Sequence, residues 1–193
     1  MTGLPRPFYL RPAKTVARDI LGCVLVSRIG RTVTAGRIVE TEAYLGPDDA
    51  ASHAAFRPSS RELFYGDGGR AYVYRIYGMH WCLNAITGKA GTPGCVLIRA
   101  VEPVVGAPAM ARRRGVAATA RELTNGPGKL TEALAITGGE NGADLTDGRL
   151  VITALDTPRD FAIASGPRIG ITRAVDVPLR FWIRDNVWVS RRA

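Results

Sequence analysis

Short apolar runs that alternate with a period of two dominate this chain, and they leave few architectures open. Cys23 to Ser27 is a compact apolar run, and Arg31 to Tyr44 is a longer one rich in Val, Thr and Ile. Arg70 to Tyr77 and Trp81 to Thr87 flank a turn that contains Gly78. Gly94 to Val101 is apolar on both faces, the pattern of a central strand, and Arg149 to Ala154, Phe161 to Ala164, Ile169 to Thr172 and Arg180 to Arg184 read as further strands. Helical periodicity is confined to Ala13–Leu21, ended by Gly22, to parts of Val104–Leu123, and to the segment opened by Asn125-Gly126-Pro127 and stopped by Gly138-Gly139. Helices placed irregularly between strands argue against regular βαβ winding. They predict an α+β fold: a single compact domain over residues 1–193, with a curved antiparallel or mixed sheet, surrounding helices and a protruding β-hairpin.

The segment Gly46 to Gly69 interrupts the pattern. It holds Pro47, Pro58, Gly66 and Gly68 with little periodicity, and loops of this length are usually functional or mobile. Charge narrows the partner. Lys+Arg number 26 against 17 Asp+Glu, a formal net charge of +9, which draws polyanions and nucleic acid first among them. Lys14, Lys89 and Lys129 are the lysines, so arginine carries nearly all of the positive charge; a planar fork suits phosphates and guanine edges, and a GC-rich genome would give the same arginine excess. Cys23, Cys82 and Cys95 each sit in an apolar run without C-x-x-C spacing, the pattern of reduced buried thiols in a cytosolic protein. With His53 and His80 the only histidines, neither a metal nor another cofactor is expected. Met1 to Arg18 has no apolar core of signal-peptide type, and no run approaches bilayer length, so no membrane association is expected.

Three constellations carry possible chemistry. On a strand, Glu40, Glu42 and Tyr44 share one face. Periodicity alone favours a half-buried strand with a solvated acidic face; beside the long loop, the same residues could frame a pocket. Tyr72 and Tyr74 project to one side of the next run, and Tyr77 precedes Gly78 at the turn. Aromatic rings near basic residues suit nucleobase stacking. For Tyr72 the commonplace reading, a strand aromatic packed in a core, is the stronger. Asn125-Gly126-Pro127-Gly128-Lys129 is a glycine-flanked helix start whose N–H groups suit a phosphate, without P-loop spacing.

Taken together these segments resemble the alkyladenine (3-methyladenine, methylpurine) DNA glycosylase family of the vertebrate type. Glu40-Thr-Glu-Ala-Tyr-Leu-Gly-Pro47 followed by His53 is similar to the family's signature, and Ala71 to His80 with Cys82-Leu-Asn84 is similar to its intercalating hairpin. Cys95 to Pro103, Gly126 to Lys129, Pro178 to Phe181 and Ala17 to Val26 match in family order, so the similarity runs from about Pro7 to Ser190. The resemblance implies a monofunctional base-excision-repair enzyme that flips alkylated or deaminated purines out of double-stranded DNA and hydrolyses the N-glycosidic bond, leaving an abasic site. It implies Glu42 as the general base, with Glu40 its competitor on the same face, and Arg99 as the residue that helps place the water and neighbouring phosphate. Tyr44, His53 and Tyr74 would sandwich the everted base, Asn84 would reject the exocyclic amine of guanine, Tyr77 would wedge into the duplex, and Lys129 would contact the DNA backbone.

The shortened stretch between His53 and Tyr72, residues 54–71, departs from the family, reading Arg57-Pro-Ser-Ser-Arg-Glu-Leu-Phe64 where a Thr-x-Arg-Asn pattern is more usual; Arg75 and Trp81 match nothing assignable. Two further readings remain open. One is a non-catalytic duplex-DNA lesion-binding protein on the same scaffold. The other is a strand-nicking enzyme using an amine nucleophile, for which lysine is scarce. The expected setting is cytoplasmic, at the nucleoid if the source is prokaryotic, and the expected state is a monomer.

Overall fold

The computed structural model describes residues 2–155 and 160–190. Residue 1, residues 156–159 and residues 191–193 of the expected 1–193 domain lie outside the described residues. The elements run α1 (Arg6–Tyr9), α2 (Ala13–Asp19), β1 (Val24–Ser27), β2 (Thr34–Tyr44), α3 (His53–Phe56), α4 (Arg61–Tyr65), β3 (Ala71–Ile76), β4 (His80–Thr87), β5 (Gly94–Val105), α5 (Ala107–Arg114), α6 (Pro127–Ala133), β6 (Leu150–Thr153), β7 (Ile163–Gly166) and β8 (Arg180–Ile183). The strands form one eight-stranded sheet, ordered β3-β4-β5-β2-β1-β6, with β8 also pairing β2 and β7 pairing β8. Every pairing is antiparallel, which settles the choice between antiparallel and mixed. The fold is α+β.

β2 and β5 are the backbone of the sheet. β2 is bonded to β5 along its length, and its other edge is shared: β1 takes Thr34–Arg37 and β8 takes Glu40–Glu42. The β2–β5 register shifts on both sides of Glu40, so that Ile38 faces Val101, Glu40 faces Ala100 and Thr41 faces Ile98. The pairing thus skips Val39 on one strand and Arg99 on the other. Such bulges re-aim side chains, and this pair flanks Glu40.

One face of the sheet is the main core. Ala71, Val73, Leu83, Ala85, Val96 and Ile98 are buried there together with Val16 and Ala17 of α2 and Leu130 and Ala133 of α6. Polar groups fix the packing: the Thr41 hydroxyl donates to Ala17 O (2.8 Å) and that of Thr131 to Trp81 O (2.9 Å). The opposite face carries Tyr72, Ile86 and Cys95 against Phe64, with Tyr44 and Tyr74 half-buried at its margin. Strand alternation therefore sorts two populations, aliphatic on one side and aromatic or polar on the other.

Three sequence expectations change. Residues 46–69 are not featureless: α3, α4 and a 3₁₀ turn at Pro58–Ser60 form there, too short for periodicity to register. β5 runs on past Val101 through Pro103, which the chain tolerates because the register shifts again at Ala35/Gly36 opposite it. Ile169 to Thr172 is not a strand. Gly170 sits at φ +77°, and the Ile169 N–H is donated to a side chain rather than to a ladder.

Candidate active site

A row of cross-strand neighbours builds the floor of the site. Tyr72 pairs with Asn84, Asn84 with Leu97, Leu97 with Glu42, and Glu42 with Arg180, across β3, β4, β5, β2 and β8. Above this row opens a cavity of about 680 Å³ whose lining includes Tyr44, His53, Tyr72, Tyr74, Asn84 and Arg99, with Tyr77 at its margin and the segment 169–173 on one side. That volume suits a small organic ligand.

Both glutamates have zero solvent exposure, so the acidic face is not solvated; this corrects the reading that periodicity favoured. Buried carboxylates persist only when charge and hydrogen bonds answer them. Glu40 is fully engaged. Its Oε1 accepts from Arg180 Nε (2.7 Å), Arg99 Nε (3.1 Å) and the Ser190 hydroxyl (2.9 Å), and its Oε2 from the Ser190 N–H (2.7 Å). Glu42 is engaged unevenly. Its Oε1 accepts from Arg99 (3.1 Å) and the Ile169 N–H (2.7 Å), while Oε2 accepts among the described residues only from the Tyr44 hydroxyl (2.9 Å). Glu42 itself does not line the cavity, but Arg99, Ile169 and Tyr44 all do. Burial alone would make Arg99 release its proton more easily; Glu42 and Glu40 outweigh that and hold its pKa above the ordinary value. Burial raises the Tyr44 phenol, and the Glu42 charge raises it further, so Tyr44 is a neutral donor.

The aromatic walls are coupled. His53 meets Tyr74 edge-on at 4.5 Å, and Tyr74 stacks on Tyr72 at 5.2 Å. The His53 Nδ1 lies 2.8 Å from the Tyr72 hydroxyl. Burial, with Arg57 nearby, lowers the His53 pKa to about 4, so the ring is neutral near pH 7. Asn84 is held at both ends: its Nδ2 donates to Tyr72 O (3.2 Å) and its Oδ1 accepts from Cys95 Sγ (3.8 Å). Cys23, Cys82 and Cys95 are all free and buried.

Tyr77 is 85% exposed at the tip of the β3–β4 hairpin. Tyr77 (φ +51°) and Gly78 (φ +68°) are both left-handed, and the Met79 N–H closes the turn on Ile76 O at 3.2 Å. This is the two-residue turn whose twist matches the strands. Lys129 stands apart: its Nζ donates to Asn125 Oδ1 (2.9 Å) and it does not line the cavity. Gly128, beside it, abuts His80, where an added Cβ would stand 2.9 Å from the His80 Cβ. The exposed Arg75 places its guanidinium 5.7 Å from the Trp81 ring centre, and Trp81 packs against Gly138.

Sequence reasoning missed Arg180, Ser190, Asp49 and Arg168. Arg168 forms a buried bidentate pair with Asp49 (2.6 and 2.9 Å) and lies 4.7 Å from the Tyr44 ring centre. These partners are separated by more than a hundred residues, and the one signal for them was the place of Arg180 in the Pro178–Phe181 segment that matches the family. Tyr72 is buried as expected, yet it also lines the cavity and anchors His53.

A family model described as methylpurine-DNA glycosylase (MPG) matches residues 7–187. The chain belongs to that family. It is 47% identical over 192 residues to a protein of Methanoculleus marisnigri named "Putative 3-methyladenine DNA glycosylase", covering 98% of this chain and 99% of that one. Proteins of the same name from Carboxydothermus hydrogenoformans (43% identity, 98% and 99% coverage) and Bacillus licheniformis (44%, 97% and 96%) are similar over nearly their whole lengths. These relatives are archaeal and bacterial, so they do not bear out a specifically vertebrate type. Membership makes DNA the substrate and base excision repair the setting. No helix among the described residues is long and apolar enough to cross a membrane.

Proposed function

We propose that this chain excises alkylated or deaminated purines from double-stranded DNA by water attack, following the scheme of the vertebrate-type enzymes it resembles. The observation that carries this reading is the uneven engagement of Glu42. Arg99 and the Ile169 N–H occupy Oε1, which leaves Oε2, beside Tyr44, to take a proton. A water between Oε2 and an everted nucleotide gives that proton to Glu42. Its oxygen bonds to the anomeric carbon as the C–N bond breaks, and the bond's electron pair departs with the purine. A cationic base leaves neutral; a neutral one leaves as an anion and is protonated. The Glu42 charge also stabilises the positive sugar of the transition state.

Tyr44 on one side and His53 with Tyr74 on the other form the slot for the base. The second N–H of Asn84 faces acceptors on the base and opposes the 2-amino group of guanine. Tyr77, exposed and apolar, fills the gap left in the stack. Lys129 acts on the backbone outside the pocket, and its position supports hydrolysis over amine attack. The working state is a monomer in the cytoplasm, at the nucleoid in a prokaryote.

Glu42→Gln tests the reading. Under single-turnover conditions on duplexes carrying one lesion each, base release should fall by roughly 10²–10⁴, the span of a lost general base, while duplex binding persists. Release that survives removes Glu42 from its role; a wild type that releases nothing favours the lesion-binding alternative. Borohydride should trap no protein–DNA adduct, and a trapped one would mean amine chemistry.

A further inference from the structure

Arg57 ends α3, its backbone N–H donating to His53 O. Its guanidinium lies 5.5 Å from the Tyr74 ring centre, and its Nη1 is 3.4 Å from the Tyr72 hydroxyl. It does not itself line the cavity, but Tyr72 and Tyr74, against which it lies, both do. Among the described residues no carboxylate pairs with it. The other wall is backed differently: Arg168 lies 4.7 Å from the Tyr44 ring centre, but Asp49 neutralises it through two hydrogen bonds. One wall of the slot is therefore backed by an uncompensated positive charge and the other by a neutral pair.

We propose that Arg57 is a specificity-determining residue that biases the slot toward uncharged purine lesions over cationic, N-alkylated ones. The inference rests on the glycosylase reading above and deepens it. A ring attracts a cation through its negative π-face. A guanidinium already held against Tyr74 draws on that same density and repels a second cation through the ring. At separations of roughly 8 Å in a half-buried site, such repulsion is not screened away. A neutral base loses nothing by the arrangement, because stacking on Tyr74 and His53 needs no ring charge. Burial first, and the Arg57 charge second, also lower the proton affinity of His53 beside Tyr74. Arg99 sits deeper, but Glu40 and Glu42 answer its charge.

The test compares two duplexes alike except for the lesion, one holding cationic 7-methylguanine and the other neutral hypoxanthine. Single-turnover release from both is measured on one preparation each of wild type, Arg57→Gln and Arg57→Lys. The ratio of the two rates does not depend on the fraction of protein folded. Arg57→Gln should raise the cationic-to-neutral ratio by roughly fivefold, the size of one cation–π contact, and Arg57→Lys should hold it at the wild-type value. A ratio that stays put in Arg57→Gln overturns the proposal alone, since a merely structural arginine changes both rates in parallel. A ratio that moves equally in both variants also overturns it, because charge is then not the cause. A wild type that releases neither base overturns the glycosylase reading and this proposal with it.

Discussion

Glu40 and Glu42 lie two residues apart on one strand, and their partners give them different work. Glu40 answers two buried arginines and the Ser190 backbone, so its removal leaves Arg180 without that carboxylate and Arg99 with Glu42 alone. Glu40→Gln is therefore expected to destabilise the protein by about 3–5 kcal/mol, the cost of breaking a buried ion pair, visible as a lowered denaturant midpoint. Glu42→Gln leaves the Arg99–Glu40 contact standing and should cost release far more than it costs stability. If the two variants exchange these phenotypes, the assignment of base and structural carboxylate is reversed. His53 adds a pH signature. Its ring takes a proton near 6.5 when unfolded and near 4 when folded. Between those values the unfolded chain binds more protons, so stability falls as pH drops from 6.5 toward 4 and is unaffected by this group above that window. An NMR titration of His53 should give a midpoint close to 4, and replacing it with Gln should flatten that part of the stability profile.

At the level of elements, the β3–β4 hairpin and the 168–173 segment carry what the sheet cannot. Tyr77 holds a left-handed backbone, a conformation costing a non-glycine residue roughly 1 kcal/mol. An exposed tyrosine gains no core contact in return, which points to a role outside folding. Tyr77→Asn should raise stability by up to about 1 kcal/mol, since Asn tolerates that conformation better, yet weaken base extrusion as read by a fluorescent base analogue. An unchanged fluorescence response would remove the wedge role. The 168–173 segment is pinned by Asp49, whose carboxyl desolvation would raise but which hydrogen bonds from Arg168, Leu45 and Ala51 hold below its usual range. Asp49→Ala should release the Ile169 amide to hydrogen exchange and lower kcat more than it weakens DNA binding. The hairpin was legible in the sequence because two alternating runs met at a glycine. The segment was not, because Ile169-Gly170-Ile171 has strand composition and only a carboxylate 127 residues away tells it otherwise.

For the whole molecule, the sequence specifies the sheet better than the site. Strand composition and glycine placement are local, so most strands and the longer helices could be read from runs and their boundaries, whereas the wholly antiparallel pairing and the short helices α3 and α4 could not. The buried charge network is not local: Glu40 with Arg180, and Asp49 with Arg168, join segments that nothing adjacent relates. Those pairs also change how the net charge of +9 should be counted. Arg99, Arg168 and Arg180 are buried and paired with Glu40, Glu42 and Asp49, so they cancel internally and leave the excess on the surface. Surface arginines that neutralise phosphates release counterions, and the affinity then falls linearly in log–log form with salt. With roughly six phosphates contacted, binding to undamaged duplex should weaken by about 10³ between 50 and 200 mM salt. The chemical step of a bound complex should barely respond, because its charges are buried beyond the reach of screening. Titrating binding and single-turnover release across that range separates the two. A flat binding curve would mean that the excess charge does not face DNA, and a rate that falls in step with binding would mean that the Glu42–Arg99 pair is open to solvent in the complex.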